Sequence, residues 1–212
     1  NDIQFCAEEN ITDVPWKKFD LDLIIEATGV SLNIIQGSTL IKSKQTRKMV
    51  VTNSDQNVDK TIVLSVNDRT YNPDNDHVVS ASICDTNAIA PVLSVIDNFF
   101  GIEKCFITTL HPWLAYQNLL DGTLSSVASP GHNWKEYSLG RSSVRNLIPK
   151  DTTAATATLR VLPHLKGKID AISFRIPTDN VSASDFSILT TKLLTFDSVI
   201  EKFQQLETQY PN

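Results

Sequence analysis

The chain has 212 residues, 41% of them hydrophobic and 20% charged, which is enough apolar surface for one full-sized core or two small ones and excludes a disordered chain. Nineteen basic residues stand against 24 acidic ones, for a net charge of −5. There is no cationic excess to drive binding to nucleic acid or to an anionic membrane surface, and no apolar run approaches the ~20 residues of a membrane helix.

Glycine is scarce: seven residues, at 29, 37, 101, 122, 131, 140 and 167, or about 3% against a usual ~7%. None lies within six residues of another, so neither the G-x-G-x-x-G turn nor the P-loop pattern can be written in this chain. Position 1 is Asn rather than Met, and the start lacks the basic and apolar regions of a signal peptide. Three cysteines, Cys6, Cys84 and Cys105, are odd in number and widely spaced, which favours a reducing compartment over a disulfide framework. The Asn-x-Ser/Thr patterns at Asn10 and Asn180 are read as unmodified.

The first third alternates short apolar runs with helical patterns. Residues 21–28 (LDLIIEAT) read as a buried strand, 31–44 as a helix, and 48–52 (KMVVT) as a second strand. Residues 61–67 (TIVLSVN) read as a third strand, with a turn at 72–75 before a further apolar run at 78–82. Strands apolar on both faces and separated by helices predict a parallel sheet. From Cys84 the character changes. A core-facing helix is predicted up to Gly101, with Pro91 in its early turns. Then come a strand at 105–111, a long polar loop at 119–141, a helix at 153–165, strands at 170–177 and 182–192, and an amphipathic helix at 195–208. The predicted organisation is a partial α/β unit, residues 1–83, followed by an α+β domain, residues 84–212.

Cys84 is predicted to open a helix. There the peptide dipole and free N–H groups favour a thiolate and could stabilise an oxyanion; a buried structural cysteine is the other reading. His111, at a strand end, would serve such a thiol as general base, or is structural. Arg175 lies inside an apolar strand, where a guanidinium needs either an internal carboxylate or a bound phosphate or carboxylate; Arg141 invites the same two readings. The four histidines and three cysteines show no metal-ligand spacing, so no metal site is expected.

Five segments in order resemble the glyceraldehyde-3-phosphate dehydrogenase family. DLIIEATG at 22–29 resembles the strand and turn that touch the nicotinamide cofactor. HVVSASICDTNAIAP at 77–91 is similar to the nucleophile segment S-N-A-S-C-T-T-N-C-L-A-P. TTLHPWLAYQNLLDG at 108–122 resembles T-T-V-H-x-Y-T-x-x-Q-x-x-x-D-G with the catalytic histidine. GRSSVRNLIPKDTTAA at 140–155 resembles G-R-x-A-x-x-N-I-I-P-x-x-T-G-A-A. VLPHLKGKIDAISFRIPTDNVSASDFSI at 161–188 resembles V-L-P-E-L-x-G-K-L-x-G-x-A-F-R-V-P-T-x-N-V-S-V-V-D-L.

The resemblance implies the second half of a Rossmann-type nucleotide-binding domain, followed by a catalytic domain with a mostly antiparallel sheet. It implies Cys84 as nucleophile and His111 as base in the oxidation of a phosphorylated aldehyde such as glyceraldehyde 3-phosphate, with NAD or NADP as hydride acceptor and inorganic phosphate releasing the acyl group. Arg175, Thr152 and Arg141 would bind substrate, and Thr28, Gly29 and Thr52 would lie near the nicotinamide. A cytoplasmic homotetramer is implied, with the loop at 121–140 as a subunit contact. The G-x-G-x-x-G turn would lie upstream of residue 1, so the chain is expected to be the middle and catalytic parts of a longer one. Ile83, Asp85, Leu114 and Thr153 depart from the family pattern. They open two alternatives: a shifted substrate or hydrolytic acyl release, or a catalytically impaired relative that binds rather than reacts. A Cys–His hydrolase without cofactor is disfavoured by the segment at 22–29.

Overall fold

A computed structural model describes residues 3–123 and 137–207. Two compact units are present: one comprises the residues up to Val95, Ala157–Pro163 and those from Phe203 on; the other comprises Ile96–Thr156 and His164–Lys202.

The first unit is built on four parallel strands, β1 (Leu23–Glu26), β2 (Lys48–Val51), β3 (Lys60–Thr61) and β4 (Val78–Ser80), in the order β1-β2-β4-β3. The register sets Glu26 beside Val51 and Val51 beside Ser80, so these three strands end level with one another. Parallel strands need a crossover, which α2 (Ser31–Lys42) supplies between β1 and β2; a single turn, α1 (Trp16–Phe19), precedes β1. Alternation in the strands turns Ile24, Met49, Val51 and Val78 to one face, where they bury with Ile34 and Leu40 of α2. Each such side chain contributes roughly 1.5–3 kcal/mol on burial. Ile11 and Trp16 pack on this cluster, and the Trp16 indole donates to the Ile11 carbonyl at 2.6 Å.

The strand expected over 61–67 is confined to Lys60–Thr61. Asn67 explains why. Its Oδ1 accepts the Val63 N–H at 2.9 Å and its Nδ2 donates to the Thr61 carbonyl at 2.8 Å, so one side chain takes the backbone groups a ladder would use. Ser65 turns left-handed at φ 63° between them.

Two aspartates in this unit are held as carboxylates below the ordinary value of 3.8. Burial works against Asp55, but hydrogen bonds from Ser31 and from the Asn57 backbone and amide, with Arg160 nearby, outweigh it. Asp76 accepts the Asn72 N–H at 2.7 Å and pairs with Lys60 at 3.3 Å. A carboxyl whose folded pKa is depressed stabilises fully above the unfolded value and loses that contribution as pH falls through the folded one. The melting temperature is therefore expected to drop as pH is lowered below about 4. Asp76→Asn, costing about 1.5 kcal/mol at neutral pH, should flatten that acid limb; thermal melts of both proteins across the range check this.

The second unit contains a four-stranded mixed sheet: β5 (Ile102–Pro112), β6 (Ile148–Lys150), β7 (Ile169–Ile176) and β8 (Ala183–Thr190), in the order β6-β7-β5-β8. Two of its pairings, β5–β8 and β6–β7, are antiparallel, but the central β5–β7 pair is parallel. Helix α3 (Cys84–Phe100) passes from the first unit into the second, and α4 (Ala154–Val161) likewise has residues in both. Pro91 is the eighth residue of α3, and the helix runs on through it. Gly101, at φ +70°, ends α3, its N–H donating to the Asp97 carbonyl at 2.9 Å. Asp97 then accepts the Ile102 N–H at 2.8 Å and meets the His164 ring at 2.9 Å. The amphipathic helix α5 (Phe196–Glu207) has no buried residue. Most of the long loop expected at 119–141 falls at 124–136, outside the described residues. Its flanks are tied by the Gly122 N–H to the Gly140 carbonyl at 2.9 Å and the Ser143 N–H to the Asn118 carbonyl at 2.8 Å.

Candidate active site

Cys84 is the first residue of α3 and is exposed, unlike the buried structural cysteine that was the other reading. The turn presenting it is braced. Ser82 stands left-handed at φ 66°, its N–H donating to Ser80 Oγ at 2.9 Å. The Asn87 amide reaches back to the carbonyls of Ala81 and Ile83, each at 2.9 Å. Cys105 is the contrasting case: it is 5% exposed within β5, and burial pushes its thiol up to about 11. Asp85, next to Cys84, is buried in the first turn.

At the carboxyl ends of β1 and β2, Thr28, Gly29 and Thr52 are all exposed. The Thr28 hydroxyl donates to Glu26 Oε1 and accepts the Val30 N–H at 3.2 Å and the Asn33 amide at 3.0 Å, so it shapes the entry to α2. Gly29 has φ +74°, with open space where a side chain would project.

In the second unit, the parallel β5–β7 register sets His111 beside Arg175, so both side chains emerge on the same face of the sheet. Two residues earlier on the same strands, the Thr109 hydroxyl donates to Ser173 at 2.8 Å, which locks that register from within. His111 is 8% exposed, and its Nδ1 lies 3.3 Å from Ser182 Oγ. Arg175 donates to the Pro112 carbonyl at 3.1 Å, while its Nε is buried without a partner. Among the described residues no carboxylate lies within ion-pair distance of it. The internal salt bridge, one of the two readings for Arg175, is therefore not made there. Arg141 is the opposite case: its guanidinium pairs with Asp121 at 3.2 Å, both side chains more than half exposed. Thr152 follows β6, where its Oγ1 accepts the Ala154 N–H at 3.1 Å as the chain enters α4.

The structure thus collects Thr28, Gly29, Thr52 and Cys84 in the first unit and His111, Arg175, Thr152 and Arg141 in the second. Ser182 beside His111 and Asn87 behind Cys84 were missed from the sequence. Asn87, three positions after the cysteine, carries a readable signal, since a side-chain amide in a first turn can brace the residues before it. Ser182 depends on a pairing 71 residues long and carries none. Among the described residues no cluster of three His, Cys, Asp or Glu could hold a metal ion, and no helix is long and apolar enough to cross a membrane.

Comparison with known proteins matches residues 83–210 to the family model described as glyceraldehyde 3-phosphate dehydrogenase, C-terminal domain. Glyceraldehyde-3-phosphate dehydrogenase of Chlamydia pneumoniae is 34% identical over 203 residues, covering 96% of this chain and 58% of the relative. The protein of that name from Streptomyces coelicolor is also 34% identical, over 96% of this chain and 57% of its own length. The cytosolic one of Chlamydomonas reinhardtii is 32% identical over 96% and 56%. The chain thus spans less than three fifths of the length of these relatives.

Proposed function

The chain belongs to the glyceraldehyde-3-phosphate dehydrogenase family, and on that premise we propose that it takes part in NAD(P)-dependent oxidation of an aldehyde, phosphorylated as in glyceraldehyde 3-phosphate, through a covalent adduct on Cys84. His111 serves as base for the Cys84 thiol, whose sulfur bonds to the carbonyl carbon to give a thiohemiacetal. His111 takes the hydroxyl proton as the adduct becomes an acyl thioester; the nicotinamide, when bound, would supply the hydride acceptor. The positive end of the α3 dipole would stabilise negative charge on the former carbonyl oxygen. Arg175 binds the substrate phosphate, and Thr152 the attacking inorganic phosphate that releases the acyl group. Arg141 is the weakest member of this set, because Asp121 already occupies its guanidinium. The observation that carries the reading is the pairing of His111 with an Arg175 that has no acidic partner among the described residues: a base and an anion receptor on neighbouring strands.

Thr28, Gly29 and Thr52 fit the nicotinamide end of the cofactor. They are exposed at the carboxyl ends of parallel strands, where such sheets take ligands, and Gly29 leaves its backbone open to close approach. Residues 1–83, which carry the parallel sheet of the first unit, are accordingly read as the second half of a Rossmann-type domain, and residues 84–212 as the catalytic domain. The partly exposed apolar groups Phe106, Ile172 and Leu189, on the outer face of the mixed sheet, support assembly into a homotetramer. A cytoplasmic location follows the named cytosolic relative.

Asp85 favours a second reading for the release step. A buried carboxylate beside the thioester opposes an incoming phosphate dianion by roughly 1–4 kcal/mol, and water is the uncharged alternative. NAD(P)H formation on phosphorylated and plain aldehydes, with and without phosphate, tests both readings. Strict phosphate dependence supports phosphorolysis. Phosphate-independent turnover that becomes phosphate-dependent in Asp85→Thr supports hydrolysis. No turnover on any aldehyde in the full-length protein contradicts the proposal as a whole.

A further inference from the structure

Three side chains stand abreast on one face of the mixed sheet. The β5–β7 register sets Arg175 on one flank of His111. On the other flank, β5 and β8 are paired as far as Leu110 and Ala183, so Ser182 comes one step further on, opposite His111. Its Oγ lies 3.3 Å from His111 Nδ1.

The backbone before Ser182 enforces that placement. Val181 stands left-handed at φ 60°, a conformation that a β-branched residue keeps only where its surroundings hold it. Asn180 does the holding. Its Oδ1 accepts the Val181 N–H at 2.9 Å, and its carbonyl accepts the Thr178 hydroxyl at 3.1 Å. Thr178 in turn donates its N–H to the Ile176 carbonyl at 2.8 Å, at the end of β7. The Asn180-Val181-Ser182 stretch, a glycosylation pattern by sequence, is thus a strained brace that starts β8 with its serine at the imidazole. Ser182 itself is exposed, so its hydroxyl takes no part in a core.

A neutral imidazole carries one proton, and the nitrogen that holds it cannot serve as base. Which nitrogen that is depends on the hydrogen bond the ring makes. A guanidinium has donors and no lone pair, so Arg175 cannot hold a ring N–H; a serine hydroxyl accepts as well as donates. We infer that Ser182 is a positioning residue: its hydroxyl accepts the Nδ1 proton of His111, fixes the ring against rotation and leaves Nε2 as the nitrogen that takes up protons. This rests on the reading of His111 as base.

The test is nitrogen NMR of the histidine rings in the full-length protein, at a pH where they are neutral, beside steady-state kinetics. The His111 signals are identified by their absence in His111→Ala. The wild-type ring is expected to carry its proton on Nδ1. In Ser182→Ala the ring should divide between the two tautomers, and kcat should fall by about three- to tenfold, as for one lost hydrogen bond, with KM for the aldehyde little changed. Ser182→Thr keeps the hydroxyl and should restore both the tautomer and the rate. A wild-type ring protonated on Nε2 overturns the inference without any variant. So does a folded Ser182→Ala with unchanged tautomer, or one with full kcat. In each of those cases an inactive His111→Ala leaves the base reading standing. Full activity in His111→Ala would remove that reading and the inference with it.

Discussion

Replacing Cys84 by serine in the full-length protein is expected to reduce aldehyde-dependent NAD(P)H formation by on the order of 10³-fold or more while leaving the fold intact. A hydroxyl is far harder to ionise than a thiol, and a serine ester would form too slowly to sustain turnover. Stability should change by less than about 0.5 kcal/mol, because the thiol is exposed and packs no core. The chain contains its own control. Cys105 is buried in β5 with its thiol raised to about 11, so iodoacetamide near neutral pH should spare it. Inactivation should follow alkylation at Cys84, residue by residue in the mass spectrum. Cys6, exposed near the start of the chain, should be replaceable by serine without effect on rate. Full activity in Cys84→Ser would assign the chemistry to another group.

The second large effect is expected at Arg175. Charge-assisted hydrogen bonds to a phosphate are worth about 1.5–3 kcal/mol, so Arg175→Gln should lower kcat/KM for a phosphorylated aldehyde by roughly 10- to 150-fold. Arg175→Lys restores the charge but not the planar fork and should recover only part of that. For a plain aldehyde of similar size both variants should approach wild type, since no phosphate is there to bind. Steady-state kinetics on the two substrates separate this from a structural role, in which both rates would fall together. Removing Arg175 leaves no carboxylate stranded among the described residues, so folding should tolerate the change.

Much of this arrangement was legible in the residues, and the exceptions have particular causes. The helices at Ser31–Lys42, Cys84–Phe100 and Phe196–Glu207 follow apolar spacing, and β1, β2, β7 and β8 follow runs or alternation. TIVLSVN has the composition of a strand, yet Asn67 captures its backbone groups and only two residues pair. β6 was missed because it is three residues long and contains Pro149, a residue that demotes any strand reading. At the site, exposure of Cys84 follows from its place at the start of a helix. The company of His111 and Arg175 does not: it depends on a parallel register between strands 64 residues apart, which no local pattern encodes. For the same reason the two arginines, equivalent in sequence, part in the structure. Among the described residues Arg141 finds Asp121, whereas Arg175 finds the Pro112 carbonyl and no carboxylate.

The central claim is that Cys84 carries the substrate as an acyl group, and it can be observed on the residue itself. Glyceraldehyde 3-phosphate and NAD(P)⁺ are mixed with the full-length protein in the absence of phosphate, quenched in acid within the first turnovers, and the peptides are mapped by mass spectrometry. The account predicts a phosphoglyceroyl increment on the peptide bearing Cys84, absent in His111→Ala at the same time point and discharged when phosphate or more time is allowed. An unmodified Cys84 during active turnover, or the increment on Cys6 or Cys105 instead, would contradict it.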